Sequence, residues 1–323
     1  MNINGRILED ELLDNLLILI KRKKEFSNID NGVIIQQIEK ALSKDSSLLD
    51  KIIIGKKAPQ KELMKMIRAE LHRINGSFNV DFEHRKKIMH DYLGTFDKAH
   101  IVKLLETHSS TKERASIYEN LYSNIFDITG GPVSILDLGC GINPVSSVFM
   151  KHDGLDYLAC DISEDILELN DMFFKTQDRI NGETKIINLF DAPKKDIFKE
   201  VDLFDVCFLF KVLDVIEQSK SHKISEEIIR VVPADWVVVS FPKTTVSGKK
   251  MNFPYRGWFD QMLRRLGFMS KILEYENEIF YIIKKKIDVD ENDDSDEEDA
   301  EDGDGENSIS EINSENNLGN KPE

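Results

Sequence analysis

Apolar residues in the first 110 positions recur every three or four residues, which is the period of an amphipathic helix. The clearest stripe comprises Ile7, Leu8, Leu12, Leu13, Leu16, Leu17 and Ile20. Further helices are predicted at residues 34–42, 59–76, 84–93, 98–108 and 111–126. Pro59 suits a first helical turn and Gly76 a helix end. The pattern predicts an all-helical N-terminal domain over residues 1–110.

From Val133 the pattern changes to short apolar runs that alternate with helix-length segments. Runs at 133–137, 156–160, 185–189, 206–210 and 236–240 predict strands, with helices between them at 166–174 and 224–232. This alternation is typical of a parallel sheet with helices on both faces. Segments 270–275 and 278–284 predict a closing hairpin. We therefore expect an α/β, Rossmann-like domain over residues 111–286.

The charge of the chain is unevenly distributed. Residues 287–323 hold 16 acidic residues and one lysine, out of a net charge of −16 for the whole chain. This segment has too few apolar residues to offset its ordering entropy, so we predict a disordered acidic tail. The remainder is nearly neutral, and segment 51–87 carries a net charge of +6.

Cysteine usage and apolar run lengths exclude several classes of protein. Cys140, Cys160 and Cys207 all lie in apolar, strand-like stretches, which favours buried thiols in a reducing compartment over disulfides or a metal site. No apolar run reaches membrane-spanning length, and no secretory signal precedes the first helix. We expect a cytoplasmic protein with no metal and no membrane partner.

A turn with two glycines follows the first predicted strand. The strand ends at Asp137, and Gly139 and Gly141 come next, followed by Asn143 and Pro144. Glycine lets the backbone approach a ligand closely because it has no Cβ. NAD-binding turns need a third glycine for a phosphate, and Pro144 stands at that position. The turn therefore favours S-adenosyl-L-methionine (SAM) over NAD, while a non-catalytic domain with an incidental turn remains an alternative. Asp137, Gly139, Gly141 and Asn143 are the candidate cofactor-binding residues of this turn.

Two further carboxylates follow the next two predicted strands. Asp161 lies 20 residues after Gly141, where a carboxylate at a strand tip can accept both hydroxyls of a ribose. Asp191 follows the third strand and is a candidate acceptor for the adenine amino group. The predicted domain is thus a SAM-dependent methyltransferase, for which an antiparallel last strand is typical.

The residues also bear on the methyl acceptor. The Asp/Asn-Pro-Pro-Tyr/Phe stretch of amino-group methyltransferases is replaced by Leu209-Phe-Lys-Val-Leu213, and the cysteines are poorly placed to attack a pyrimidine. Guanine N7 has an in-plane lone pair and no proton, so its methylation needs alignment and no general base. Basic clusters that suit RNA phosphates include Lys56, Lys57, Arg68, Arg73, Lys249 and Lys250.

Several motifs together resemble a known family. They are His108-Ser-Ser-Thr-Lys-Glu-Arg114, Gly139-Cys-Gly-Ile-Asn-Pro144, Phe210-Lys-x-Leu213, Val239-Ser-Phe-Pro242 and Trp258-Phe259. In this combination the chain, through most of residues 50–286, resembles the 16S rRNA (guanine-N7)-methyltransferases of the aminoglycoside-resistance group. The acidic tail and the first 50 residues lie outside that pattern.

The resemblance implies a partner and a set of site residues. Such enzymes use a basic helical N-terminal domain to bind the assembled small ribosomal subunit, and they methylate a decoding-site guanine of its 16S rRNA. Arg114 would pair with the SAM carboxylate, and Lys211, Ser240 and Pro242 would line the entrance for the base. Lys249 and Lys250 would contact rRNA, and no DNA partner is expected. A methyltransferase of another RNA or of a small molecule, and a SAM-binding assembly factor without turnover, remain alternatives.

Overall fold

The helices of the first 71 residues pack around a core of their own. A β-hairpin precedes them, and the elements are β1 (Asn2–Ile3), β2 (Arg6–Ile7), α1 (Asp10–Lys21), α2 (Asn31–Lys44), α3 (Ser46–Ile53) and α4 (Lys57–Leu71). Asp30 and Asp45 cap α2 and α3, because each carboxylate accepts a hydrogen bond from a backbone N–H in the first turn. The buried faces form one apolar cluster that extends from Ile3 to Leu71.

The next helices pack on the sheet and not on that N-terminal core. They are α5 (Phe82–Asp91), α6 (Lys98–Leu105), α7 (Ser109–Arg114) and α8 (Tyr118–Thr129). Met89, Ile101 and Tyr118 share one core with Ile135 in the first strand of the sheet. The domain boundary at residue 110 stays a prediction. By side-chain packing, the helices up to α4 share the N-terminal core, whereas the helices from α5 onward share a core with the sheet.

The sheet has the predicted alternation of strands and helices. Its strands are β3 (Ser134–Leu138), β4 (Leu155–Asp161), β5 (Ile180–Ile186), β6 (Phe204–Phe210), β7 (Ala234–Pro242), β8 (Met269–Glu274) and β9 (Glu278–Lys284). The order is β5-β4-β3-β6-β7-β9-β8, with β9 antiparallel to β7 and to β8 and the others parallel. The helices between them are α9 (Glu164–Phe174), α10 (Leu213–Ile216), α11 (Lys223–Val231) and α12 (Gly257–Leu266). The predicted α/β, Rossmann-like fold class is confirmed.

Three details of the prediction are wrong. The third strand spans Ile180–Ile186 and not 185–189. The apolar pattern did not reveal it because β5 is an edge strand, and most of its residues are polar and partly exposed. The helix predicted at 111–126 is two helices, and the break between them turns Arg114 into the protein interior. Helices α3 and α12 and the 3₁₀ helix Asn143–Phe149 are also absent from the prediction.

The computed structural model describes residues 1–76, 82–91, 98–192, 196–217, 221–245, 249–252 and 254–285. Residues 1–286 form one compact unit. The predicted acidic tail lies outside the described residues. Among the described residues, no helix combines the length and the apolar character needed to cross a bilayer.

Helix α3 provides a test of the N-terminal core. Leu49 is fully buried, whereas Ile53 on the same helix is 40 % exposed. We expect Leu49→Ala to lower the free energy of unfolding by about 2–5 kcal/mol, because it leaves a cavity. Ile53→Ala should cost less than about 1 kcal/mol. Urea denaturation followed by circular dichroism measures both, and equal losses would contradict the packing described for α3.

Candidate functional site

The glycine turn after β3 takes a backbone conformation that other residues resist. Gly139 and Gly141 have φ angles of +66° and +51°. A Cβ on Gly139 would lie 2.7 Å from Cγ2 of Val212, and one on Gly141 would lie 3.3 Å from Nε2 of His108. Both positions therefore favour glycine, because another residue would strain the backbone and its Cβ would crowd a neighbouring side chain.

Asp161 connects this turn to the tip of the neighbouring strand. Its Oδ2 accepts a hydrogen bond from the backbone N–H of Gly141 at 3.0 Å. Its Oδ1 accepts from the N–H groups of Ile162 at 2.8 Å and Ser163 at 3.1 Å. Burial raises the pKa of Asp161, and these three N–H groups oppose that shift. The carboxylate is thus fixed in place at the carboxyl end of β4.

A cavity opens at these strand tips. Gly139, Gly141, Asp161, Arg114 and Lys211 all line it, as the sequence predicts for a shared site. Most of the remaining wall is apolar and was not predicted; it includes Ile74, Ile187, Leu189, Phe190, Val215 and Ile216. A mostly apolar cavity with a few fixed polar groups is the usual form of a small-molecule site.

Asp137 and Asn143 lie behind the cavity wall and do not line it. The Nδ2 group of Asn143 donates to Oδ2 of Asp137 at 2.9 Å, and the hydroxyl of Tyr157 donates to the same oxygen at 2.6 Å. The hydroxyl of Tyr118 donates to Oδ1 of Asn143 at 3.0 Å. The structure therefore gives both residues a role in holding the turn, and their contact with a cofactor stays a prediction.

Arg114 is buried and already has a carboxylate partner. Its Nε lies 3.0 Å from both carboxylate oxygens of Glu278, and Nη2 donates to Oγ of Ser110 at 2.7 Å. Its Nη1 donates to Oδ1 of Asn143 at 3.3 Å, and the guanidinium lies 4.8 Å from the ring centre of Phe210. Sequence reasoning expected a cofactor carboxylate as the partner and missed Glu278.

Glu278 also organises two of the three residues predicted at the base entrance. Oγ of Ser240 donates to its Oε1 at 2.5 Å, and Nζ of Lys211 lies 3.3 Å from its Oε2. Lys211 pairs with Glu113 as well, and its backbone has a φ of +59°. Ser240 is buried away from the cavity. A lone acid at the start of an otherwise apolar strand is the only sequence signal for Glu278.

Two predicted residues lie elsewhere. Asp191 is on the 3₁₀ turn Leu189–Asp191, where its Oδ1 accepts from Nε2 of Gln36 at 3.3 Å, and it does not line the cavity. Pro242 ends β7 beside Glu278 and does not line the cavity either. The sequence places both next to the site, and their roles at the cofactor and at the base entrance stay predictions.

His108 is a cavity residue that sequence reasoning gave no role. It is buried, and burial together with the charges of Arg85, Arg114 and Lys211 lowers its pKa to about 3. The imidazole is therefore neutral at physiological pH and is a weak base. Among the described residues, no cluster of three or more His, Cys, Asp or Glu side chains could hold a metal ion.

The predicted RNA-binding residues fall into two groups. Lys56, Lys57, Lys249 and Lys250 are exposed. Arg68 instead donates to the carbonyl oxygen of Leu19 at 2.5 Å, which joins α4 to α1. Arg73 pairs with Glu70 and donates to the carbonyl oxygen of Val215. The four lysines are available to a partner, whereas both arginines are engaged within the chain.

Comparison with known proteins identifies the family. The model of the ribosomal RNA methyltransferase (FmrO) family matches residues 46–282. The chain belongs to this family. The glycine turn, Asp161 and the cavity that they line are therefore features of an rRNA methyltransferase.

Individual relatives agree with this assignment. The methyltransferase is 28% identical over 252 residues to a 16S rRNA (guanine(1405)-N(7))-methyltransferase of Proteus mirabilis, covering 70% of this chain and 85% of that one. It is 23% identical over 249 residues to a protein of the same name from Frankia casuarinae, covering 74% and 85%. The fold is similar to that of the 16S rRNA methyltransferase RmtF, crystallised with S-adenosyl-L-homocysteine, with a TM-score of 0.69 and 19% identity over 86% of this chain and all of that one.

The hydrogen bonds around Asp137 predict a pH dependence of stability. Burial raises the pKa of Asp137 from 3.8 to about 6, although Tyr157 and Asn143 partly oppose the shift. A carboxyl with a raised folded pKa binds its proton more tightly in the folded methyltransferase. Its contribution to stability is complete below the unfolded pKa and is lost as the pH rises through the folded pKa.

Asp137→Asn removes this titration. We expect the free energy of unfolding of the wild type to fall relative to the variant by about 2 kcal/mol between pH values of roughly 4.5 and 7. Denaturant titrations of both proteins across that range measure the difference. If the free energies of unfolding of the two proteins changed in parallel with pH, the raised pKa of the buried Asp137 carboxyl would be contradicted.

Proposed function

We propose that the chain transfers a methyl group from SAM to N7 of a guanine in the 16S rRNA of the small ribosomal subunit. The observation that carries the proposal is the cavity at the tips of β3 and β4, which is lined by the glycine turn and by Asp161. When bound, SAM supplies the methyl group as an electrophile. Family membership and the names of the relatives support the rRNA substrate.

The residues of the cavity fit this cofactor. Gly139 and Gly141 both line the cavity, where backbone without a Cβ can approach a ligand closely, and Asp161 is a fixed acceptor suited to ribose hydroxyls. The apolar wall that includes Phe190 suits an aromatic base. We assign the charged end of the cavity, at Arg114, to the amino-acid part of the cofactor, which would share the guanidinium with Glu278.

The chemistry of the cavity agrees with an acceptor that carries no proton. Methylation of guanine N7 needs no general base, and His108, with a pKa of about 3, is poorly suited to act as one. The product base is cationic. Arg114 and Lys211 are matched by the carboxylates of Glu278 and Glu113, so this side of the cavity has no excess positive charge to repel the product.

We infer that the exposed lysines Lys56, Lys57, Lys249 and Lys250 contact rRNA phosphates. The proposed partner is the assembled small subunit in the cytoplasm, with neither DNA nor a membrane involved. A positive charge added at the decoding site would weaken the binding of cationic drugs there. We therefore propose aminoglycoside resistance as the cellular outcome.

The direct test is methyl transfer from labelled SAM to purified 30S subunits, with 50S subunits, naked 16S rRNA and tRNA as competitors. We expect label in the 16S rRNA of intact 30S subunits, and chain scission at one guanine after borohydride and aniline treatment. Labelled 16S rRNA without scission would reject N7. Binding of SAM without transfer to any RNA would instead reject the rRNA substrate and favour an assembly factor without turnover or a small-molecule methyltransferase.

Two glycine variants test the cofactor cavity. Gly139 and Gly154 both have positive φ angles, +66° and +73°, but a Cβ on Gly154 would meet no atom within 4 Å. Each alanine pays the backbone strain of about 1–2 kcal/mol, and only Gly139→Ala adds a clash with Val212 at the cavity wall. Gly154→Ala is therefore a matched control.

We expect Gly139→Ala to weaken binding of S-adenosyl-L-homocysteine at least about tenfold, and Gly154→Ala to leave it within about twofold of wild type. Isothermal titration calorimetry measures both. Wild-type affinity in Gly139→Ala would show that the cofactor does not use this turn.

A further inference from the structure

Two segments that line the cavity are held by hydrogen bonds from the N-terminal helices. Nη1 of Arg73 donates to the carbonyl oxygen of Val215 at 2.7 Å. Nε2 of Gln36 donates to the carbonyl oxygen of Phe190 at 3.0 Å. Val215 and Phe190 both line the cavity. The apolar wall is therefore fixed partly by side chains that do not themselves line it.

Arg73 is itself held in one orientation. Its Nε donates to Oε2 of Glu70 at 3.1 Å, and its Nη2 donates to Oε1 of Glu70 at 2.8 Å. This two-point pairing lowers the pKa of Glu70. It fixes the plane of the guanidinium and directs Nη1 at the carbonyl of Val215. A side chain used in this way is poorly placed to reach an RNA phosphate, although it is 40 % exposed.

The residue after Arg73 joins the wall directly. Ile74 is buried, lines the cavity and belongs to the same core as Leu209 and Val239 of the sheet. Leu71, three residues earlier, belongs to the separate N-terminal core. The chain thus passes from one core to the other at Arg73, and the guanidinium fixes the position at which it crosses.

We propose that Arg73 is a positioning residue for the cofactor, which holds the wall formed by Ile74, Val215 and Ile216 against the bound ligand. This role rests on the proposed function and replaces the RNA contact predicted for Arg73 from charge alone. Loss of the guanidinium removes the hydrogen bond between the π-helical turn His72–Gly76, which follows α4, and Val215 in α10, so the wall closes less well on its ligand.

The test compares Arg73→Ala and Arg73→Lys with Arg230→Ala. Arg230 is a matched control, because it pairs with Glu227 three residues earlier, as Arg73 pairs with Glu70, and it does not line the cavity. Calorimetry with S-adenosyl-L-homocysteine gives cofactor affinity, filter binding gives 30S affinity, and methyl transfer to 30S subunits gives kcat and the KM for SAM. Melting temperatures show that each variant folds.

Arg73→Ala should raise the Kd for S-adenosyl-L-homocysteine, and the KM for SAM, by about fivefold to tenfold. We expect kcat at saturating SAM and 30S affinity to stay within about twofold of wild type, as for uniform loss of cofactor binding. Arg73→Lys should recover most of the affinity, since an ammonium can still donate to the carbonyl of Val215. Arg230→Ala should match wild type in every measurement.

Unchanged cofactor affinity in folded Arg73→Ala would overturn the proposal. So would a loss of 30S affinity with cofactor affinity retained, which would return Arg73 to phosphate binding. These outcomes leave the proposed function intact. Failure of the wild type to bind S-adenosyl-L-homocysteine would instead reject the proposed function, and the role of Arg73 with it.

Discussion

The site is built around the hydrogen bond from the backbone N–H of Gly141 to the carboxylate of Asp161, which acts together with the backbone bond from Cys140 to the carbonyl oxygen of Cys160. It joins the turn after β3 to the tip of β4, which the sheet already places side by side. The bond fixes a turn that has little strength of its own, because its glycines have positive φ angles and no side chains to pack. The same carboxylate faces the cavity, so one group both shapes the site and supplies an acceptor to it.

The buried ion pair of Arg114 and Glu278 determines the structure on the other side of the cavity. Arg114 and Glu278 are each almost fully buried, and such charges are tolerated only when they are paired and hydrogen-bonded. Their pairing connects α7, which precedes the sheet, to β9, which ends it. Lys211 and Ser240 join the same carboxylate from β6 and β7. Residues that are far apart in the sequence thus form one network behind the site.

Local patterns were enough to predict most of the fold and the ligand-facing turn. The carboxyl end of a strand lies where an apolar run stops, so Asp161, directly after one run, and Gly139 and Gly141, shortly after another, could be assigned to the site. Edge strand β5 was misplaced, since three of its seven residues are exposed. Glu278, Gln36 and the true contacts of Arg73 and Asp191 could not be predicted, because they arise from packing between distant segments. The charge of Arg73 alone predicted a contact with RNA, whereas its Nη1 donates to the backbone carbonyl of Val215, 142 positions later.

The placement of the cofactor is tested most directly by a crystal structure of the full chain with S-adenosyl-L-homocysteine. We expect the ribose hydroxyls to lie within hydrogen-bonding distance of Asp161, with the ligand passing over Gly139 and Gly141. Density for the ligand at any other place, or a carboxylate of Asp161 turned away from it, would contradict this placement of the cofactor.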